Sequence, residues 1–392
     1  MKILSCNAGS TSLKFGLFDM PEATLLASIK IQRIGSLDST LSFWSQSAQW
    51  EQEIYIENYI CGVRAALNAL KAGDLLSDLA GIGFKTVHGG AMTHCLIDDA
   101  VMKAMEQFTV VAPLHNRIYL EVIRAFQKVA PELPMAAIFE TAFHHTIPEH
   151  AYTYAVPLEW RDNYGVRKYG FHGASHSYIS QRISQLMGRT DLKVISCHLG
   201  GSSSLCAIKN GNSIDATQGF SPQSGIAMGT RNGDLDVYAL FHMMHNGFTV
   251  EQLNNILYEQ SGLKGLSGVS DDMRELELAA AQGNSRAQLT LSVYCYDIVR
   301  YIGAYWALLG GLDAIVFTGG IGENSLYIRA RVLRMLEHMG VIMDPEKNQA
   351  NLPDSLISHP DSAVPVYLIR TNEELMVAQQ TAAVLQAAQE RS

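Results

Sequence analysis

One layout of residues occurs twice in this chain, about half its length apart. The first copy runs Ile3-Leu4-Ser5, then Cys6-Asn7-Ala8-Gly9-Ser10-Thr11-Ser12-Leu13-Lys14, then Phe15-Gly16-Leu17-Phe18. The second runs Val194-Ile195-Ser196-Cys197-His198-Leu199-Gly200-Gly201-Ser202-Ser203-Ser204-Leu205. In both, an apolar run and Ser-Cys precede a polar residue, then Gly and hydroxyls, then Leu and a second apolar run. Strand, small polar turn and strand reads as a hairpin. Small turn residues let backbone N–H groups approach an anion, and Lys14 adds charge to the first copy. A plain hairpin tip has a similar composition, so one copy alone decides nothing. Two copies predict a duplicated domain with two phosphate-facing hairpins across one cleft.

The chain's 392 residues suffice for two or three domains. A hydrophobic content of 47% against 17% charged residues describes a globular chain able to fill large cores. The net charge of −9 argues against a nucleic-acid role, which needs a basic face. An anionic substrate would have to be met by local cations, since the field of the whole molecule opposes it. Cys6, Cys61, Cys95, Cys197, Cys206 and Cys295 include no CxxC pair, so neither zinc nor a dithiol is signalled. They read as buried free thiols in a reducing compartment. The apolar run after Lys2 is too short for a signal peptide, and no run nears the ~20 residues of a membrane span. A soluble cytoplasmic protein is expected.

Strand-like runs occupy residues 1–60, including 27–32 and 50–56. Residues 57–80 have helical spacing, with Ile60, Val63, Ala66 and Leu67 on one stripe. A strand over 79–87 ends in Val87-His88-Gly89-Gly90. An amphipathic helix is predicted over 113–130, then a strand over 135–139 that delivers Glu140-Thr141 at its C-terminal end, where ligand groups cluster in open α/β sheets. Gly170-Phe171-His172-Gly173-Ala174-Ser175-His176 precedes a helix over 177–186. The Gly-, Ser- and Pro-rich segment 219–234, with Arg231 inside it, is long enough to suggest a functional loop. Helices are predicted over 237–260 and 284–310. A buried strand over 314–317 leads into the turn Thr318-Gly319-Gly320-Ile321-Gly322-Glu323-Asn324, which opens a helix. A strand over 364–368 and a helix from Glu373 close the chain.

Several of these residues suit phosphoryl transfer. Lys14, Lys85 and Arg231 are cations beside Gly- or hydroxyl-rich turns, and transfer needs cations to offset charge on the equatorial oxygens. Singly, such cations are usually solvated surface. The turn 318–324 suits a nucleotide at a helix N-terminus, although it is neither GxGxxG nor a P-loop, and an ordinary strand-to-helix turn fits it as well. His172 and His176 are four apart, but Gly173 between them argues against a helical metal pair. Glu140 ends an apolar strand, a costly place for a carboxylate unless it is paired or binds metal. Glu373 and Glu374 begin a helix, as Mg²⁺ ligands or simply as dipole partners.

Taken together these segments resemble the acetokinase family. The resemblance rests on Asn-Ala-Gly-Ser-Thr-Ser-Leu-Lys at 7–14, Val-His-Gly-Gly at 87–90, Ala-Pro-Leu-His-Asn at 112–116, Thr-Ala-Phe-His at 141–144 and Tyr-Gly-Phe-His-Gly at 169–173. It continues with Met-Gly-Thr-Arg-Asn-Gly-Asp at 228–234, Asp-Met-Arg at 272–274, Gly-Gly-Ile-Gly-Glu-Asn at 319–324 and Thr-Asn-Glu-Glu-Leu at 371–375. It implies an α/β architecture, the duplicated RNase H-like, actin-like ATPase fold. One lobe would comprise 1–146 plus 374–392, and a nucleotide-binding lobe 147–373. It also implies a homodimer that moves a phosphoryl group reversibly between ATP and a short-chain carboxylate, acetate or propionate, with Mg²⁺ or Mn²⁺ in its place. The products would be acyl phosphate and ADP, and neither nucleic acid nor membrane is implied. By position, Asn7 and Glu373 would hold the metal and Lys14 would approach the nucleotide phosphates. Glu140, Arg231 and His172 would be catalytic. Asp272, Met273 and Arg274, with Gly320, Ile321, Gly322, Glu323 and Asn324, would bind adenosine. Val87, Leu114, Phe171 and Pro222 would surround the acyl chain.

Three positions depart from the family pattern. Lys85 stands where the family usually has the Arg that meets the substrate carboxylate or phosphate, so the charge is kept and the bidentate fork lost. Glu140 stands for a catalytic Asp, on an arm one methylene longer. The second phosphate loop reads His198-Leu199-Gly200-Gly201-Ser202 where the family has His-Leu-Gly-Asn-Gly, leaving Ser202 to Ser204 as substitute donors. A re-tuned kinase, a kinase with another acceptor or phosphate donor, and a weakly active nucleotide-binding regulator are all compatible with these changes.

Overall fold

The computed structural model describes residues 1–391, and the side chains of Val110, Pro113 and Leu114 lie outside that description. The chain divides into two compact units, Met1–His145 joined by the chain from Asn372 onward, and Thr146–Thr371.

The first unit is built on β1 (Lys2–Gly9), β2 (Ser12–Asp19), β3 (Thr24–Gln32), β4 (Thr40–Ser45), β5 (Gln49–Glu53), β6 (Leu79–Phe84), β7 (Cys95–Leu96) and β8 (Met135–Ala137). They form one sheet in the order β5-β4-β3-β2-β1-β6-β8-β7. β1 to β5 are an antiparallel meander, β6 and β8 run parallel to β1, and β7 is antiparallel. The edge strand β5 is mostly exposed and carries Glu51 and Glu53, charges that discourage pairing with another chain. The first hairpin is tighter than its composition suggested. Strand pairing continues to Gly9↔Ser12, so Asn7 and Lys14 face one another across the ladder. Alternating buried Cys6, Leu13 and Phe15 hold those residues in the strands, where their backbone groups are paired.

Each face of this sheet is covered. On one, Phe126 of α2 (Pro113–Val129), which packs beside α1 (Tyr59–Ala72), meets Phe15 and Phe84 edge-on at 6.0 and 5.4 Å. On the other, Ala378, Ala382 and Leu385 of the C-terminal helix Glu373–Gln389 bury against Ile3, Phe18 and Met20. That helix lies so close to β6 that a Cβ on Gly83 would stand 1.9 Å from Thr381 Oγ1. Glycine at this position thus sets how near the sheet the helix sits, and with it the position of Glu373 at the helix start.

The second unit repeats the arrangement. β9 (Lys193–His198), β10 (Ser204–Lys209), β11 (Asn212–Ala216), β12 (Ala314–Thr318), β13 (Ser355–Leu356) and β14 (Val366–Leu368) are ordered β11-β10-β9-β12-β14-β13. This is the order and direction of β3-β2-β1-β6-β8-β7: three antiparallel strands, two parallel ones, one antiparallel edge. The duplication signalled by two hairpins is a duplication of whole sheets. Its helices include α3 (Gly173–Met187), α4 (Val237–His245), α5 (Met273–Ala281), α6 (Ser285–Leu309), α7 (Gly319–Asn324) and α8 (Leu326–Leu336). Leu291, Tyr294 and Ile298 of α6 and Ile328 and Val332 of α8 join Ile195, Cys197 and Phe317 of the sheet in one core. All six cysteines are free thiols, and among the described residues no helix is long and apolar enough to cross a membrane.

Three elements differ from the sequence reading. The helix expected over 237–260 is two helices, Val237–His245 and Val250–Glu259, parted at Gly247, whose φ is 91°. The segment expected as a turn before a helix is itself a helical turn, α7, because the Leu199 carbonyl accepts the N–H groups of Ile321 and Gly322 at 2.7 and 3.1 Å. α3 starts at Gly173 rather than 177, because His172 takes a left-handed φ of 56° that turns the chain into the helix early.

Gly83→Ala is expected to lower unfolding stability by about 1–3 kcal/mol through overpacking against Thr381. Urea denaturation checks this. An unchanged midpoint would show that the C-terminal helix has room to move.

Candidate active site

In the first unit, charged side chains gather where strands end. Lys85 follows β6 and its N–H donates to the Cys6 carbonyl at 3.0 Å. Its ammonium bonds to the Glu373 carboxylate and lies 3.8 Å from Glu140 Oε1. Glu140, beyond β8, is only 4% exposed, and its N–H donates to the Thr86 carbonyl at 2.9 Å. Desolvation acts to lower the Lys85 pKa, but Glu373 and Glu140 outweigh it and hold the ammonium above its ordinary value. Glu374 goes the other way: burial and the adjacent Glu373 charge raise its pKa, against the pull of Lys14 and Lys85.

Asn7 stands on β1 in the same unit. Its Oδ1 accepts a hydrogen bond from the Tyr119 hydroxyl at 3.1 Å, and that hydroxyl accepts the Ala8 N–H at 3.1 Å. Tyr119, on α2, had not been singled out; its only sequence signal is a polar ring on an otherwise apolar helical stripe. The oxygens of Asn7 and Glu373 are hard donors. Mg²⁺ typically takes one or two carboxylates and completes its shell with substrate phosphates and water, so this donor set fits it. Among the described residues no group of three or more His, Cys, Asp or Glu side chains forms an all-protein metal cage. A metal held here would depend on a ligand for the rest of its coordination.

The second unit presents a different chemistry. A cavity of about 740 Å³ is lined by Gly200, Gly201, Asp272, Met273, Arg274, Gly320, Ile321 and Asn324, together with Asp271, Glu277 and Ser325. Its volume falls within the roughly 300–1,000 Å³ of small-molecule sites. Asp272 caps α5, and its carboxylate accepts from Arg274 Nε at 3.0 Å and from the Arg274 N–H at 2.8 Å. Those bonds hold its carboxyl down at about 2. The backbone of 199–201 and α7 touch directly: a Cβ on Gly319, at φ +77°, would stand 2.7 Å from the Leu199 carbonyl.

Glu323 and Gly322 do not line this cavity. Glu323 Oε1 accepts the N–H groups of Gly319 and Thr371 at 2.9 and 3.1 Å, so it fastens the turn from behind. The fully buried Arg329 donates to the Gly322 carbonyl at 2.8 Å and steadies the other end of α7. Burial brings its guanidinium down to about 10. Of the three serines offered as substitute donors, Ser203 bonds inward to Gly200 and Tyr294, and Ser204 to two histidines. Only Ser202 is partly exposed.

Arg231 is 9% exposed. Its Nη1 donates to the Pro222 carbonyl at 2.8 Å, and its guanidinium lies over the Tyr258 ring. Among the described residues no carboxylate lies within ion-pair reach of it. Burial pulls its pKa below the ordinary arginine value, with Tyr258 and Glu259 opposing. A buried guanidinium without a counter-ion is a place prepared for an anion. His172, at the start of α3, stacks on His198 at 4.3 Å. Val87 belongs to the first unit and Phe171 and Pro222 to the second, all three buried, while the Leu114 side chain lies outside the described ones. Lys14 is exposed on β2.

The raised Glu374 pKa gives a pH prediction. A carboxyl whose folded pKa is raised destabilises the fold only when ionised. The cost is absent below the ordinary carboxylate pKa, grows as pH rises from there to the raised one and is constant above it. Glu374→Gln should therefore stabilise the protein near pH 7 and do little near pH 4, as read from denaturation midpoints at both pH values. Equal effects at both would contradict the shift.

The acetokinase family profile matches residues 2–379. Acetate kinase of Geobacillus sp. (strain WCH70) is 45% identical over 385 residues, covering 96% of this chain and 97% of that protein. Acetate kinase of Bacillus subtilis (strain 168) is 43% identical, with 96% and 98% covered. Among solved structures, a propionate kinase from Francisella tularensis subsp. tularensis SCHU S4 superposes with a TM-score of 0.91 at 34% identity, covering 97% of this chain and 98% of that one. Porphyromonas gingivalis acetate kinase gives 0.88 at 36%, with 98% and 99% covered. The doubled sheet is thus the duplicated actin-like ATPase fold, and this chain belongs to the acetokinase family.

Proposed function

We propose that the chain transfers the γ-phosphoryl group of ATP reversibly to a short carboxylate, acetate or propionate, giving acyl phosphate and ADP. The observation that carries this reading is Arg231, a buried guanidinium with no carboxylate within ion-pair reach among the described residues. In-line attack by a carboxylate oxygen on phosphorus needs little covalent help from the protein. It needs positioning and offset of charge on the equatorial oxygens. Arg231 and His172 supply that offset, and the cavity beside Asp272 and Gly320 holds the nucleoside.

The first unit supplies the acceptor's surroundings. Lys85 and Lys14 are the cations there, and Glu140, Glu373 and Glu374 outnumber them. An anionic acceptor would be repelled unless a further cation were present. Mg²⁺, held by Glu373 and Asn7, would neutralise phosphate oxygens and that surplus when bound. A protein with free thiols and ATP as substrate belongs in the cytoplasm.

Trapping acyl phosphate with hydroxylamine tests the reading. Product is expected from Mg-ATP with acetate and with propionate. Arg231→Ala should lower kcat by about 10²–10³, the cost of losing one donor to a developing charge. Folded protein that binds ATP and yields no product with either acid would overturn the proposal.

The same reading includes a homodimer. α4 has no buried residue, and its Val237, Tyr238 and Phe241 are 55%, 74% and 56% exposed. An apolar helix left in water is a surface suited to a second copy of itself. Sedimentation should show a dimer for the parent chain and a monomer for Phe241→Glu. A dimer in both would exclude α4 as the contact.

A further inference from the structure

Four side chains in the second unit form a chain of hydrogen bonds that ends on His172. Ser196 lies on β9 and Ser204 on β10. The ladder pairs Ser196 with Cys206 and His198 with Ser204, which turns both serines toward one face of the sheet. α3 covers that face. His172 immediately precedes α3 and His176 lies in its first turn, and both rings reach the serines. Ser196 Oγ lies 2.9 Å from His176 Nδ1, His176 Nε2 lies 2.8 Å from Ser204 Oγ, and Ser204 Oγ lies 2.8 Å from His172 Nδ1.

The direction of this chain follows from proton counting. A hydroxyl has one proton to give. Ser196 is fully buried, and His176 Nδ1 is its one side-chain hydrogen-bond partner among the described residues. Were Ser196 to accept there, its own proton would be buried unpaired, at a cost of about 1–3 kcal/mol. Ser196 therefore donates, and His176 Nδ1 is bare. The His176 proton sits on Nε2 and is donated to Ser204. Ser204, having accepted there, gives its proton to His172 Nδ1. The remaining proton of neutral His172 is then on Nε2.

We propose that Ser204 and Ser196 are positioning residues that fix His172 as its Nε2–H tautomer, so that this ring offers a hydrogen-bond donor to the phosphoryl group. The inference rests on the reading that His172 acts on that group. Stacking on His198 at 4.3 Å holds the plane of the ring while the chain sets its proton. A ring with the other tautomer would turn a lone pair toward phosphate oxygens and repel them.

Long-range ¹H–¹⁵N correlation on the ¹⁵N-histidine-labelled full chain near pH 8, with His172 assigned from its loss in His172→Ala, reads the tautomer directly. The expected result is a protonated Nε2 and a bare Nδ1 on His172, and a shift toward mixed tautomers in both Ser196→Ala and Ser204→Ala. In Ser204→Ala, kcat should fall about tenfold, the usual scale for losing a group that orients an active-site histidine, with KM for ATP and carboxylate nearly unchanged. A proton on Nδ1 in the parent chain, or an unchanged His172 in both serine variants, would overturn the proposal. His172→Ala separates this from the reading beneath it. Lost turnover alongside the wrong tautomer would refute the hydrogen-bond chain alone, whereas retained turnover would refute His172's part in transfer and the proposal with it.

Discussion

The Lys85 ammonium, set between Glu373 and Glu140, is the interaction on which the first unit's site depends. It ties together three segments remote in sequence: the end of β6, the residue beyond β8 and the first turn of the C-terminal helix. All three side chains are mostly shielded from solvent, so losing one charge would strand another, at a cost of about 3–5 kcal/mol for a truly buried pair. The backbone is arranged to make this meeting possible. Parallel pairing of β1, β6 and β8 brings the C-terminal ends of those strands side by side, and Gly83 lets the last helix approach closely enough to deliver Glu373.

The second unit has the same sheet with the opposite solution to charge. Where the first concentrates carboxylates around a lysine, the second buries Arg231 beside a carbonyl and an aromatic face, and among the described residues no carboxylate reaches ion-pair distance of it. Around β9 and β10 it places hydroxyls and imidazoles. An acid-rich unit suits a metal cation, and a buried guanidinium with no carboxylate in ion-pair reach among the described residues suits an anion. One strand order occurs twice, with different residues at the strand ends.

Much of this was legible in the sequence because it follows from local pattern. The paired hairpins, the strand that ends at Glu140 and the stripe of α1 each depend on residues near one another in the chain. The site was legible in part for the same reason: most residues singled out around the nucleoside line one cavity. What escaped depends on which way a side chain turns. Glu323 lies within a nucleotide-like turn, yet its carboxylate faces inward to Gly319 and Thr371. Ser203 and Ser204 look like phosphate donors by composition, but strand alternation and the packing of α3 point them into the fold. Tyr119 reaches Asn7 across more than a hundred residues, a distance over which no periodicity speaks.

By the resemblance, Lys85 and Glu140 stand where the family has an arginine and an aspartate, a changed cation facing a lengthened acid. The two side chains meet in a single cluster, so the two changes are expected to act as one exchange. A double-mutant cycle of Lys85→Arg and Glu140→Asp, read as kcat/KM for acetate, tests that most directly. Each single change should lower activity and the double variant should recover it, with a coupling of about 1 kcal/mol or more, as contacting residues show. Effects that simply add, within about 0.5 kcal/mol, would show that the two positions changed independently and would contradict the account.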